Sequence, residues 1–142
     1  MILLDTTVLA YAVGEEHALR RPARWLLEAH GSGRIEATTT VEVLQEFLHI
    51  RSRRRPHADA VRLTREFAVA FDLQIIIADD LEVGLDLYLR TPRLGAFDAM
   101  LAAVATRRKV RALVSADRAF AGVEGLPWLD LADPNLERSL TG

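Results

Sequence analysis

The chain contains no cysteine, which excludes disulfides, thiolate zinc sites and cysteine nucleophiles. Lysine is nearly absent: of 18 Lys and Arg residues, only Lys109 is a lysine. Arginine's planar fork suits phosphate, although a GC-rich genome produces the same bias without any function. No apolar run approaches the roughly 18–20 residues that a membrane span needs. The opening Met1-Ile2-Leu3-Leu4-Asp5 has no basic segment and meets an acid at once, so no signal peptide is expected and a cytoplasmic location is. An excess of one charge is also missing. Twenty acids against 18 Lys and Arg give a net charge of −2, which excludes a chain that binds nucleic acid by bulk positive charge. There are no internal repeats and no low-complexity segments.

What is present is a globular composition, 50% apolar and 27% charged over 142 residues, the size of one domain with one core. Residues 1–132 are expected to form that domain and 133–142 a frayed tail. Apolar runs rich in β-branched residues predict strands at Ile2–Leu4, Ile35–Thr39, Leu73–Ile77 and Ala112–Ser115. Pro127–Leu131 reads as a fifth strand, at the sheet edge because of its proline. Helical spacing predicts helices over His17–His30, Val41–Arg53, Ala58–Phe71, Leu81–Leu89 and Phe97–Arg107. Strands alternating with helices indicate an α/β fold with a mostly parallel sheet of four to five strands.

In such a sheet, ligands bind beyond the carboxyl ends of the strands. Asp5 directly follows the first predicted strand, and Asp117 follows Ala112–Ser115 by two residues. Either alone reads as a cap for the next helix, but two at one sheet edge suggest a site. Asp98 is the only acid in an otherwise apolar helix that must lie in the core, so it needs a partner, and a metal ion is a natural one. The helix from Val41 offers two glutamates. Glu42, Gln45, Glu46 and His49 share its polar arc; Glu42 lies near the middle and is expected to be solvated, whereas Glu46 lies at the edge, beside Val43 and Ile50. That half-buried position favours Glu46. Four carboxylates around one cleft repel one another unless a cation joins them. Oxygen ligands without cysteine suit Mg²⁺ or Mn²⁺, and the matching chemistry is metal-dependent phosphodiester hydrolysis.

The motifs Leu4-Asp5-Thr6-Thr7, Gln45-Glu46-Phe47, Phe97-Asp98-Ala99-Met100 and Ser115-Ala116-Asp117 together resemble the PIN-domain ribonucleases, and more closely the VapC toxins of type II toxin–antitoxin systems. The resemblance runs from Met1 to about Leu131. It implies a three-layer α/β/α fold and an Mg²⁺ site that cuts single-stranded or looped RNA. It makes Asp5, Glu46, Asp98 and Asp117 the acidic quartet, Asp5 and Asp98 the direct metal ligands, and Thr6 and Ser115 the supporting hydroxyls. Thr7 departs from the pattern, since relatives often carry Asn or Ser there, but its hydroxyl can still hydrogen-bond. The family also implies a cognate antitoxin and a homodimer. The faces around Leu63, Phe67 and Phe71 could serve either the core or an interface between copies.

Arg51, Arg53, Arg54 and Arg55 form the densest cationic cluster and exceed what a helix C-terminus needs, which suggests contact with RNA backbone or antitoxin. Arg107, Arg108, Lys109 and Arg111 form a second basic cluster. The alternative reading is a phosphotransfer protein of receiver or haloacid-dehalogenase type, with Asp5 as phosphoryl acceptor. It is weakened by Thr7, where dehalogenases place a second Asp, and by the acidic pair Asp79-Asp80, which follows the wrong strand.

Overall fold

The computed structural model describes residues 1–142. Four strands form one sheet: β1 (Ile2–Leu4), β2 (Ala37–Thr38), β3 (Ala112–Ser115) and β4 (Trp128–Asp130). Their spatial order is β2-β1-β3-β4, and every pairing is parallel. Every residue of β1 and β3 is buried. Successive side chains of a strand point to opposite faces, so the sheet is covered on both, which is why these strands are continuously apolar. Beside them lie α1 (Thr6–Ala12), α2 (Arg20–Gly31), α3 (Val41–Ser52), α4 (His57–Ala70), α5 (Ala78–Arg90), α6 (Ala96–Arg107) and α7 (Leu136–Thr141). The α/β expectation holds, with four strands and with β4 at the edge beside Pro127.

Two expectations are corrected, and a third that was left open is decided. Leu73–Ile77, which reads as the plainest strand, contributes only an isolated bridge between Gln74 and Thr40. Two of its other backbone groups are taken by side chains: Arg108 donates to the Ile75 carbonyl at 2.7 Å, and the Ile77 N–H donates to Asp80 at 2.9 Å. The C-terminal residues are not frayed. Leu136 and Leu140, four apart on α7, are buried in the core, and Arg111 donates to the Leu140 and Ser139 carbonyls at the helix end. The faces around Leu63, Phe67 and Phe71 are buried as well, with Phe67 meeting Phe47 edge-on at 5.1 Å between ring centroids, so they serve the core of one chain.

The sequence reading also passed over α1, whose two turns bury Val8, Leu9 and Ala12. Helices α5 and α6 approach closely because residue 84 is glycine: a Cβ there would lie 2.5 Å from the Met100 sulfur and 3.4 Å from the Ala99 carbonyl oxygen. α6 buries more residues than any other helix, Ala99 and every residue from Leu101 to Ala105. It therefore carries Asp98 on a rigid support.

Candidate active site

The carboxyl ends of β1 and β3 deliver two acids to the same sheet edge. Asp5 follows β1 and holds the N-terminal position of α1, yet its side chain does not cap that helix. One of its carboxylate oxygens instead accepts from the Ser115 hydroxyl at 2.6 Å and the Thr7 hydroxyl at 3.0 Å. Thr7 also accepts from the Ala116 N–H at 3.0 Å, and Ser115 from the Asp117 N–H at 2.9 Å. Thr7 thus carries the hydrogen bonds that the departure from the family pattern left open. It ties the end of β1 to the turn after β3, and Ser115 holds Asp5 by its hydroxyl. Asp117 begins the short 3₁₀ turn Arg118–Gly122 and caps it by accepting from the Ala119 N–H.

Helices supply the other acids. Thr40 caps α3 through its hydroxyl, which accepts from the Val43 N–H, and α3 carries Glu42 and Glu46. Asp98 lies in the first turn of α6. Asp5, Thr6, Glu42, Glu46 and Asp98 line one cleft of about 400 Å³, whose lining also includes Ile76, Ile77, Leu81 and Phe97. Asp117 is outside the cleft lining but electrostatically close. The Asp98 carboxyl is pushed up to about 8 by burial, then by the negative charges of Asp5, Asp117 and Glu46. Burial also raises Asp5. Glu46 is raised by burial and by the charge on Asp5. Each of these three groups is thus more easily neutralised than an ordinary carboxylate, because no cationic side chain forms an ion pair with any of them.

Glu42 requires a correction. It is half-buried at the cleft wall, and one of its carboxylate oxygens is buried without a hydrogen-bond partner. Ile76 and Ile77 before α5, and Ala78 and Leu81 at its start, line the same cleft, so Glu42 is less open to water than on an isolated helix. It is Glu46, however, and not Glu42, that contributes to the raised pKa of Asp98. Gln45 and His49 are exposed.

A hard divalent cation fits this donor set. The lining offers several carboxylates, an orphaned Glu42 oxygen and a buried Thr6 hydroxyl without a partner. No three acids are drawn together tightly enough to enclose an ion as they stand. Mg²⁺ does not need that, since it keeps several waters and is typically held through one or two carboxylates.

The arginines divide. Arg51 pairs with Asp59 at 2.8 Å and donates to the Val13 carbonyl at 2.9 Å, so it braces α3 against α4 and α1. Arg53, Arg54 and Arg55 are exposed and form no ion pair. In the second basic cluster, Arg107 and Arg108 both pair with Asp80, which is fully buried. That pairing removes Asp80 as a free member of an acidic pair and further weakens the phosphotransfer alternative.

The PIN domain profile matches residues 2–126. Over 123 residues, covering 85% of each chain, the sequence is 51% identical to ribonuclease VapC7 of Mycobacterium tuberculosis. The chain belongs to the PIN-domain family, in its VapC branch. This PIN domain is also 34% identical to ribonuclease VapC13 of the same organism, over 91% of this chain and 99% of that one. Its fold matches the VapBC2 structure from Rickettsia felis, solved with a promoter DNA fragment, with a TM-score of 0.73, 17% identity, and coverage of 92% of this chain and 98% of that one.

Proposed function

We propose that this PIN domain is a divalent-metal-dependent endoribonuclease and the toxin of a toxin–antitoxin pair. The observation that carries this reading is the convergence of Asp5, Glu46, Asp98 and Asp117, from four different elements, into mutual repulsion with no ion pair to any of them. Asp5 and Asp98 would hold Mg²⁺ or Mn²⁺. Such an ion, when bound, activates water and neutralises charge at the phosphate. Ser115 and Thr7 fix the orientation of Asp5. Glu46, half-buried with its carboxyl raised toward neutrality, is the group suited to take a proton from the attacking water. The test is incubation of the purified protein with labelled single-stranded RNA. Cleavage in Mg²⁺ that stops in EDTA and resumes with excess Mg²⁺ is expected; intact RNA in Mg²⁺ at micromolar protein would overturn the reading.

Acid repulsion also predicts how the metal-free protein responds to pH. In the unfolded chain, Asp98 titrates near the ordinary value of about 3.9. In the fold its carboxyl is raised to about 8. The sign follows: the folded state favours the protonated form, so this contribution to stability is full below about pH 4 and is lost as pH rises toward 8. Discounted for solvent screening and for coupling to its neighbours, the loss is about 1 kcal/mol, or ~3 °C in Tm. Thermal scans in EDTA should show wild type falling relative to Asp98→Asn between pH 5 and pH 8, with Mg²⁺ closing the gap at pH 8. A constant difference across that range would contradict the assignment.

Partners follow from the remaining surface. RNA is the proposed substrate, and Arg53, Arg54 and Arg55 are proposed to hold its backbone. They follow Glu46 by seven to nine positions, roughly 10–14 Å along the helix direction, so they flank the cleft without entering it. Replacing all three with Ala should lower the slope of log affinity against log salt by about 2. An unchanged slope in a salt titration of RNA binding would assign the cluster to the antitoxin instead. A homodimer is proposed through α5, whose exposed Leu85, Tyr88 and Leu89 form one apolar stripe at helical spacing.

A further inference from the structure

Of the chain's five phenylalanines, Phe47, Phe67, Phe71 and Phe120 are at most 7% exposed. Phe97 is 78% exposed. No other ring stacks on it and no cation lies over it. It stands in the first turn of α6, immediately before Asp98, and both residues line the cleft. Ile77 and Leu81, in the same lining, are about half exposed, at 51% and 47%. The cleft therefore has an acidic part at Asp5, Glu46 and Asp98 and an open apolar part around Phe97.

With a divalent cation held by the carboxylates, a ligand matched to both parts carries a phosphate at one end and a flat apolar body at the other. The sugar–phosphate chain gains nothing from Ile77, Leu81 and Phe97, whereas a nucleobase does. Unstacked bases of single-stranded RNA are recognised by stacking on exposed aromatic rings. Phe97 and Asp98 are neighbours in the first turn of α6 and line the same cleft, so the ring and the carboxylate belong to one binding surface.

We propose that Phe97 is the stacking platform for the base adjoining the scissile phosphate, so that it positions the RNA on the acidic site. The proposal rests on the ribonuclease reading and adds a substrate contact to it. Because every base presents a π-face, the platform tolerates sequence and favours the larger purines. Its effect falls on RNA binding and register, while the chemical step remains with the carboxylates.

The test uses a labelled pool of random-sequence single-stranded RNA 12-mers with wild type, Phe97→Ala, Phe97→Leu and Phe97→Tyr. The side chain is exposed, so none of these changes disturbs the core. Single-turnover cleavage in Mg²⁺ over a range of protein concentrations separates the half-saturating concentration from the maximal rate. Phe97→Ala should raise the former about 10–100-fold and change the latter less than about threefold. Phe97→Tyr should restore wild-type behaviour, and Phe97→Leu should not. Fluorescence anisotropy of the same pool in EDTA gives a readout independent of cleavage, and Phe97→Ala should weaken binding there too.

Wild-type binding by Phe97→Ala, or rescue by Leu equal to rescue by Tyr, would overturn the platform. So would a change in sedimenting mass for Phe97→Ala, which would assign the ring to contact between copies. Failure of wild type to cleave the pool would count against the ribonuclease reading, and the anisotropy comparison would then still decide the platform. If wild type also failed to bind the pool, both would fall.

Discussion

Asp98→Asn is expected to lower RNA cleavage in Mg²⁺ by about 10³-fold or more while leaving the protein folded, and Asp5→Asn is expected to do the same. The two changes remove proposed cation ligands from different elements, one at the end of β1 and one in the first turn of α6. Asp5→Asn also removes a negative charge that raises Asp98 and Glu46, and Asp98→Asn removes a carboxyl whose ionisation the cleft opposes. Loss of activity with a retained or raised metal-free Tm is therefore the signature of a cation site. A merely structural role would lower both. Glutamine at the two α3 positions supplies a finer ranking. Glu46→Gln should be severe, because Glu46 is coupled to both Asp5 and Asp98. Glu42→Gln should cost about tenfold or less, since Glu42 reaches the cleft wall without contributing to that coupling. Rates from single-turnover assays with circular dichroism as a fold control settle the order. The reverse ranking, or full cleavage by Asp98→Asn, would dismantle the proposed arrangement.

The parts of this site that were legible in the sequence share one physical cause: an acid where apolar surroundings make it expensive. Asp5 after Ile2–Leu4, and Asp98 in a helix of alanine, leucine and valine, stand out because burial without partners is costly. The strands β1 and β3 were legible for the related reason that a strand covered on both faces must be apolar throughout. What escaped the sequence depends on contacts distant along the chain. The polar arc of α3 gave Glu42 the most solvated place, which holds only for an isolated helix. Ile76, Ile77, Ala78 and Leu81 line the same cleft as Glu42, and nothing near Glu42 in sequence announces them. α7 was missed because Leu136 and Leu140 are its only two core residues among polar neighbours, and its docking depends on Arg111, some 30 positions away. The role of Thr7 was left open, because its ties to Ser115 and Ala116 bridge more than 100 positions.

The same principle explains why Leu73–Ile77 is not a strand, and it yields the second large effect. Three β-branched residues favour extended backbone, but pairing requires free N–H and C=O groups. Arg108 takes the Ile75 carbonyl and Asp80 takes the Ile77 N–H. Asp80 in turn accepts from Arg107 at 2.7 Å and from Arg108 at 3.1 Å with no exposure to solvent. One carboxylate thus fixes the start of α5, the end of α6 and the wall that bears Ile76 and Ile77. Asp80→Ala should destabilise the fold by about 2–4 kcal/mol, toward the lower side of the range for breaking a buried pair, because both guanidiniums can partly rehydrate. Their side chains are already 32% and 22% exposed. Burial opposes the Asp80 charge, but the Ile77 N–H and the two arginines outweigh it and hold the carboxyl below its usual range. Its contribution is therefore full above the unfolded value of about 3.9 and disappears as pH falls through the lower folded value. The gap between wild type and Asp80→Ala in urea denaturation should accordingly be wide at pH 7 and narrow on acidification below about pH 4. The variant should also weaken RNA binding at temperatures where it remains folded, because the apolar part of the cleft lining loses its anchor. A gap under about 0.5 kcal/mol at pH 7 would mean that the segment is held by the Thr40–Gln74 bridge and side-chain packing instead.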